Sequence, residues 1–219
     1  MNEKDGRFFS LFYERNKDSY VHGPKPKPET IEKYRSVLPE ALIRVWETFG
    51  FGIFEKGVIQ FVDPDEWNFI WDYSIDKYFP AHVIGHTSLG DLITISGYGQ
   101  LWNEDTKQYE PMTSISMRYF HENKIQTVGL PKSFALWLGV SINEDNKTVT
   151  HDYFCKKYKL EKYYKVKDKL GPLRFGQCYG YVPLPELGGA KSYKNLQVLD
   201  AKSYVEMTLQ VQGPRYDKK

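Results

Sequence analysis

Two histidines four residues apart are the closest approach in this sequence to a metal-binding motif. On a helix, His82 and His86 would share one face, where this spacing can hold a zinc ion. Gly85 and the β-branched Val83 and Ile84 lie between them and favour a strand or turn instead. No carboxylate motif accompanies the pair, so we predict neither a metal site nor a cofactor.

Catalytic motifs are equally scarce. Gly97-Tyr98-Gly99 lacks the Lys-Ser/Thr ending of a phosphate loop and does not open a helix. Cys155 and Cys178 do not have metal-ligand spacing and are interpreted as free thiols. No local motif combines a nucleophile, a base and an orienting group. The sequence therefore predicts a protein that is not an enzyme and has no small-molecule substrate.

A lysine-rich stretch could contact nucleic acid. Between residues 156 and 169, seven lysines are interleaved with Tyr158, Tyr163 and Tyr164. Basic residues between aromatic ones are typical of nucleic-acid binding when they share a surface. The alternative is a solvated helix whose tyrosines face the core. We favour the helix and predict no direct nucleic-acid binding.

Charge is segregated along the chain, although the net charge is only +2. From Glu32 to Glu110 there are 13 acidic and 6 basic residues, whereas from Pro111 to Lys219 there are 10 acidic and 18 basic residues. Such an asymmetry can steer a charged partner, unless folding mixes the two segments.

Helices are predicted in the first third of the chain. An apolar cluster from Phe8 to Tyr13 predicts a helix that docks on the core, and the alternating prolines of residues 23–28 predict an extended linker. Thr30 is predicted to cap a second helix. A third helix should run from Glu40 to Phe49, with its apolar stripe buried: Leu42, Ile43, Trp46 and Phe49.

Strands dominate the middle of the chain. Residues 57–62, 82–86, 89–96, 114–120 and 124–128 favour strands, and Ser133–Leu138 favours a short helix. Asp63-Pro64-Asp65 predicts a turn into a helix carrying Trp67 and Trp71, which either pack in the core or anchor a partner. This order predicts an α+β fold with a mainly antiparallel central sheet and flanking helices.

The C-terminal stretch, Leu170 to Gly213, contains several glycines and prolines that are predicted to end helices and strands. Gly171-Pro172 ends a helix, Tyr179 to Val182 favour a strand, and Pro183 and Pro185 end that strand. A final helix follows Asp200 and should bury one apolar side: Tyr204, Val205, Thr208, Leu209 and Val211.

Two segments carry a family resemblance. The pattern L-G-P-L, Y-G-Y-V-P, L-G-G and a closing helix resembles the C-terminal domain of bacterial type VI secretion immunity proteins. Ile31 to Trp67 resembles the GAD-like domain that precedes it in that family. The resemblance implies a GAD-like domain over residues 1–80, the immunity domain over 81–213 and a tail over 214–219. The two domains could pack as one unit, in a fold related to the SMI1/KNR4-like immunity superfamily.

The resemblance implies an immunity protein that binds and neutralises a cognate secreted toxin, with a DNase as the expected toxin class. A nuclease presents basic residues to DNA, so carboxylates with aromatic anchors suit its inhibitor. The acidic half supplies our candidate toxin-binding residues: Asp63, Asp65, Glu66, Trp67, Trp71, Asp72, Asp76, Trp102, Glu104 and Asp105. The alternative function is nucleic-acid binding through residues 156–169.

The expected compartment is the cytoplasm. The N-terminal residues lead into no apolar signal-peptide core, and no apolar run approaches the roughly 18 residues that span a bilayer. We therefore expect no membrane partner.

Overall fold

The computed structural model describes residues 3–73, 81–103, 107–122, 124–129 and 162–213. It contains an antiparallel sheet with flanking helices, which confirms the predicted α+β class. The predicted helix at Ser133–Leu138 lies outside the described residues.

Three helices precede most of the sheet. Their bounds are α1 Glu3–Asn16, α2 Pro28–Arg35 and α3 Glu40–Phe49. The spacing of apolar residues in α3 buries the whole predicted stripe, and Trp46 is only 1% exposed. Phe12 of α1 is fully buried against Phe49 and Phe54, so the N-terminal helix docks on the core as predicted.

The first turn of α2 differs from the prediction. Thr30 was expected as the cap, but the helix begins at Pro28, with Lys27 in the capping position and no side-chain cap. Proline is favoured in the first turn because its missing N–H is not needed there. Thr30 therefore lies inside the helix, where it is buried.

Among the described residues, the main sheet has seven antiparallel strands arranged in chain order. They are β1 Val21–His22, β2 Gly52–Phe54, β3 Ile59–Phe61, β4 Ala81–Thr87, β5 Leu92–Asn103, β6 Gln108–Tyr119 and β7 Lys124–Gly129. Gln60 of β3 lies opposite His86 of β4. A register shift between Val83 and Gly85 interrupts the pairing of β4 with β5. The histidine pair is therefore in a strand, which is one of the two conformations predicted for it.

The C-terminal region, residues 162–213, adds a second, two-stranded sheet. Its elements are α4 Lys162–Leu170, β8 Gln177–Tyr181, β9 Leu196–Asp200 and α5 Ala201–Gln212. The α4 helix ends at Gly171, whose φ of +80° suits glycine. The Asp200 carboxylate accepts a hydrogen bond from the Ser203 backbone N–H at 2.8 Å and caps α5.

The prediction of which residues of α5 are buried is only partly correct. Tyr204, Val205, Thr208 and Leu209 are buried as expected, but Val211 is 37% exposed. In α4, Val166 is buried whereas Tyr164 is 39% exposed, so the prediction that the tyrosines face the core is wrong for Tyr164.

Two apolar cores hold these elements together. The first lies between the main sheet and α1–α3, and it also receives Val166, Tyr179 and Leu196 from the C-terminal region. The second core combines two sets of side chains: Val62, Trp67, Ile70, Val83, Leu92 and Phe120 from the earlier chain, and Cys178, Leu184, Ala201, Tyr204, Val205 and Leu209 from the C-terminal region. The C-terminal region is therefore packed onto the main sheet through shared cores.

Candidate functional site

An acidic 3-10 helix, Pro64–Tyr73, follows β3 and carries half of the predicted partner-binding residues. Its start is fixed by Asp63, whose Oδ1 accepts a hydrogen bond from the Asp65 backbone N–H at 3.0 Å. Asp and Pro at these positions favour a tight turn, because the carboxylate binds the backbone two residues on.

The inner face of the acidic 3-10 helix is apolar. Trp67 is 2% exposed and Ile70 is fully buried, and both belong to the second core. The Trp67 and His86 rings have centroids 5.4 Å apart. Trp71 is partly buried against the same core. Of the two interpretations of these tryptophans, core packing is correct for Trp67, which is too buried to anchor a partner.

The outer face carries carboxylates held by hydrogen bonds. Asp65 Oδ1 accepts from the Tyr34 hydroxyl at 2.6 Å and pairs with Lys33 Nζ at 2.5 Å. Desolvation raises the pKa of Asp65, but the bonds from Lys33 and Tyr34 outweigh it, and the net result is a lowered pKa. Glu66 pairs with Lys202 of α5. Both carboxylates are therefore presented in defined positions while remaining partly exposed.

The other predicted residues are placed differently. Asp72 is exposed on the acidic 3-10 helix. The backbone of Trp102 lies in β5, but its side chain is outside what the structure describes. Asp76, Glu104 and Asp105 lie outside the described residues.

A cleft of about 250 Å³ lies beside the acidic 3-10 helix. It is bordered by the proline-rich linker on one side and by the turn before β8 and the start of α5 on the other. Its lining residues are Pro24, Lys25, Lys27, Phe51, Val62, Asp63, Glu66, Trp67, His86, Phe175, Gly176, Asp200 and Lys202. The cleft therefore brings together parts of the chain that are more than a hundred residues apart.

His86 lines the cleft with an unused hydrogen-bond acceptor. Its Nδ1 lies 2.9 Å from the Thr87 carbonyl oxygen. Because a carbonyl oxygen only accepts, Nδ1 must carry the hydrogen and Nε2 must have a free lone pair. Nε2 is buried and has no hydrogen-bond partner. Burial lowers the pKa of His86 to about 4, so the ring is neutral near pH 7.

Asp63 brings a second unused acceptor to the cleft. It is half-buried, and among the described residues the only hydrogen bond of its carboxylate is the one that Oδ1 accepts from Asp65 N–H. Burial, followed by the neighbouring Asp65 and Glu66 carboxylates, raises the pKa of Asp63 despite that hydrogen bond. A cation in the cleft would relieve both effects.

Gln60 fixes the wall of the cleft that the C-terminal region supplies. Its Nε2 donates to the Gln177 carbonyl at 2.6 Å, and its Oε1 accepts from the Gly176 N–H at 2.9 Å. Nearby, the Tyr179 N–H donates to the Ser88 carbonyl at 2.7 Å. These bonds hold Phe175 and Gly176 against the main sheet, and no local sequence signal pointed to Gln60.

A second polar cluster joins α5 to the chain after β6. The Tyr204 hydroxyl accepts from the Tyr181 N–H at 3.1 Å, so it donates its own hydrogen to His121 Nε2 at 2.5 Å. His121 Nδ1–H then donates to Glu186 at 3.0 Å, and Gln212 Nε2 donates to the same carboxylate at 2.8 Å. None of these side chains lines the cleft, and their hydrogen bonds are used in holding α5 in place.

The lysine-rich stretch is described only from Lys162 onward. Lys167 Nζ donates to the Lys56 carbonyl at 3.2 Å, and Lys169 Nζ lies 3.5 Å from the Lys194 carbonyl. These contacts tie α4 to neighbouring segments. Within the described residues there is no cluster of three or more potential metal ligands. None of the described helices is long and apolar enough to cross a bilayer.

Two family models match the chain in tandem. Residues 7–115 match the GAD-like domain, and residues 145–212 match the C-terminal domain of the type VI secretion immunity protein Tdi1. The order is the one expected from the sequence. No curated protein matches the chain.

One solved structure shares the fold over nearly the whole chain. The crystal structure of Atu4351 from Agrobacterium tumefaciens matches with a TM-score of 0.60 and 19% sequence identity, covering 90% of this chain and 88% of that one. At this identity the similarity concerns the fold alone.

Proposed function

We propose that this chain, which belongs to the type VI secretion immunity proteins with a GAD-like domain and a Tdi1-type C-terminal domain, neutralises its toxin by forming a stoichiometric complex. The toxin neutralised is a DNase, the class expected from the family resemblance. The protein acts without chemistry of its own, in the cytoplasm of the cell that makes the toxin.

The observation that carries this proposal is the two-sided construction of the acidic 3-10 helix. Its inner face is fixed in the second core by Trp67 and Ile70, while Asp65, Glu66 and Asp72 are exposed on its outer face. A nuclease must present positive charge to the DNA backbone. Rigidly held carboxylates complement such a surface and accelerate encounter.

The described polar groups support inhibition by occlusion over catalysis. Burial raises the pKa of Cys178, so its thiol stays protonated and is a poor nucleophile. Burial also raises the pKa of Tyr204, whose hydroxyl is engaged by His121 and Tyr181. The groups that line the cleft include no nucleophilic hydroxyl or thiol. We therefore expect the purified protein to leave plasmid DNA intact in the presence of divalent metals.

Charge reversal on the acidic 3-10 helix tests the proposed interface. The double variant Glu66→Lys/Asp72→Lys leaves Asp65 and its bond to Tyr34 in place, so its melting temperature should stay close to that of the wild type. With the toxin encoded in the adjacent reading frame, the association rate should fall by about tenfold or more at low salt, and the loss should shrink as salt rises. Surface-immobilised binding kinetics at two salt concentrations measure both effects.

The matched control is Asp18→Lys/Asp168→Lys, which makes the same change in net charge at exposed residues outside the acidic 3-10 helix. If both variants slow association equally, only net charge matters and the proposed surface is wrong. If the wild-type protein neither binds the toxin nor blocks its DNA cleavage, the proposed function fails.

A lysine variant addresses the alternative function. Changing Lys156, Lys157, Lys159 and Lys162 to Ser should not alter the fluorescence anisotropy of labelled DNA, because we expect no binding at physiological salt. Micromolar binding by the wild type that disappears in the variant would favour nucleic-acid binding instead.

A further inference from the structure

The cleft beside the acidic 3-10 helix has hydrogen-bond acceptors that the described residues leave unused. Among them are His86 Nε2 and the second carboxylate oxygen of Asp63. A buried acceptor without a donor costs free energy, so native structures rarely leave one unmet. His86 Nε2 is such an acceptor, and together with the half-buried Asp63 carboxylate on the same cleft it indicates a ligand that donates hydrogen bonds.

The same groups argue against an anionic ligand. His86 is neutral, and its only hydrogen is used on the Thr87 carbonyl, so the ring has no donor to offer. The Gly176 N–H is already bound to Gln60. Lys202 is paired with Glu66, while Lys25 and Lys27 are exposed on the linker, where solvent and salt screen their charge.

The lining residues and the volume of the cleft further restrict the chemical class of the ligand that donates these hydrogen bonds. Phe175, which is partly exposed, lines the cleft beside the buried Phe51 and Trp67, and an aromatic face attracts cations. A guanidinium is planar, is more weakly hydrated than an ammonium and has five N–H donors, so it can stack on a ring while binding several acceptors. At about 250 Å³, the cleft is smaller than the roughly 300–1,000 Å³ of ordinary small-molecule pockets and suits one side chain.

We propose that the cleft receives an arginine side chain of the toxin, whose guanidinium donates hydrogen bonds to Asp63 and His86 Nε2 beside the ring of Phe175. This inference rests on the proposed function and identifies the point where the toxin is anchored. Asp200 lines the same cleft and supplies a further carboxylate. Arginine in a desolvated pocket is a frequent centre of binding energy at protein interfaces.

The first experiment uses three short peptides and does not need the toxin. Acetyl-Gly-Arg-Gly-amide, its lysine analogue and its glutamate analogue are titrated into the full chain labelled with ¹⁵N-histidine. Long-range ¹H–¹⁵N spectra report the state of each imidazole nitrogen. We expect the arginine peptide to shift His86 Nε2 in the direction of a hydrogen-bonded acceptor, with saturation at millimolar concentrations.

The peptide series separates the alternative occupants. An equal shift with the lysine peptide would show that charge alone is recognised and would overturn the guanidinium assignment. A shift with the glutamate peptide, or no shift with any peptide, would overturn the proposal as a whole.

The second experiment uses Asp63→Asn, which keeps an oxygen to accept the Asp65 N–H but removes the negative charge. We expect the arginine peptide to bind about tenfold more weakly to this variant, because a charge-assisted hydrogen bond is lost. Asp18→Asn, at an exposed site outside the cleft, should bind as the wild type does.

Toxin binding then distinguishes this inference from the proposed function. Asp63→Asn should increase the dissociation rate of the toxin complex about tenfold or more, with little change in the association rate. If wild type and Asp63→Asn release the toxin equally slowly, the cleft is not the anchor, although the immunity function stands. If the wild type does not bind the toxin at all, the proposed function fails, and the peptide titration still tests the cleft.

Discussion

The earlier chain and the C-terminal region achieve stability in different ways. The earlier chain packs three helices on a seven-stranded sheet and fills that space with its own aromatic residues, including Phe12, Trp46 and Phe54. The C-terminal region has only two strands and two described helices, and its apolar side chains enter cores built largely by the earlier chain. Thus two regions that match separate family models share their cores, and we propose that they fold as one unit.

Separating the C-terminal region from the earlier chain should have the largest effect on stability. A two-stranded hairpin is marginally stable in water, and Tyr204, Val205 and Leu209 would lose their partners on the main sheet. We expect a peptide of residues 162–213 to show no cooperative thermal transition by circular dichroism. A folded peptide with a sharp transition would contradict the proposal of one unit.

Removing one large side chain from the first core should have the second largest effect on the free energy of unfolding. Trp46→Ala should lower the free energy of unfolding by about 3–5 kcal/mol, because a large side chain that is almost fully buried leaves a cavity. Urea denaturation measures the change, and both regions should unfold in the same transition. Trp46→Phe is the matched control. It keeps a ring and removes an indole N–H that has no hydrogen-bond partner, so its cost should be smaller.

Acidification should weaken the second core through His86. The lowered pKa of His86, about 4 against an ordinary 6.5, means that the unfolded chain binds a proton in this window while the folded chain does not. Stability present above pH 6.5 is therefore lost as pH falls towards 4, with His86 accounting for about 3 kcal/mol.

The variant His86→Phe isolates this effect. Its free energy of unfolding should depend less on pH between 4 and 6.5 than that of the wild type. Some dependence should persist, since desolvation also lowers the pKa of His82 and of His121. An unchanged slope would show that His86 is accessible to protons in the folded protein.

Breaking the hydrogen bonds between the regions should have the smallest effect of the four. Gln60→Leu removes the partners of the Gly176 N–H and the Gln177 carbonyl. Both residues are only partly buried, so water can replace the lost partners, and each lost hydrogen bond should cost about 0.5–1.5 kcal/mol. Urea denaturation should show this loss, whereas Gln197→Leu on the exposed side of β9 should be close to neutral. Equal effects would mean that Gln60 does not connect the regions.

Local patterns in the sequence predicted most of the described elements but not the cleft. The stripe of α3 and the strands around His82 and His86 follow from periodicity and residue type, which act over a few neighbours. The error at Thr30 concerns a helix start, which Pro28 places about a turn earlier, and the error at Val211 concerns the exposure of the last turn of α5.

The candidate site was predictable only in part, for a physical reason. Its acidic residues lie close together in sequence, so their charge and the turn at Asp63 were visible. The burial of Trp67 and the approach of Phe175 to His86 depend on contacts between distant segments, as does the role of Gln60. Periodicity carries no information about such contacts.

The chain-order arrangement of the main sheet has a consequence for synthesis on the ribosome. Each strand from β2 to β7 emerges next to the partner that preceded it, so the sheet can form as the chain grows. Trp67 and Ile70 can complete their packing in the second core only after Tyr204 and Val205 have been made. At typical bacterial elongation rates, this takes on the order of ten seconds. During that interval, the nascent chain exposes an apolar surface to chaperones. The cleft is also incomplete until its last lining residue, Lys202, has been added, so the proposed arginine site cannot form before that residue has been made.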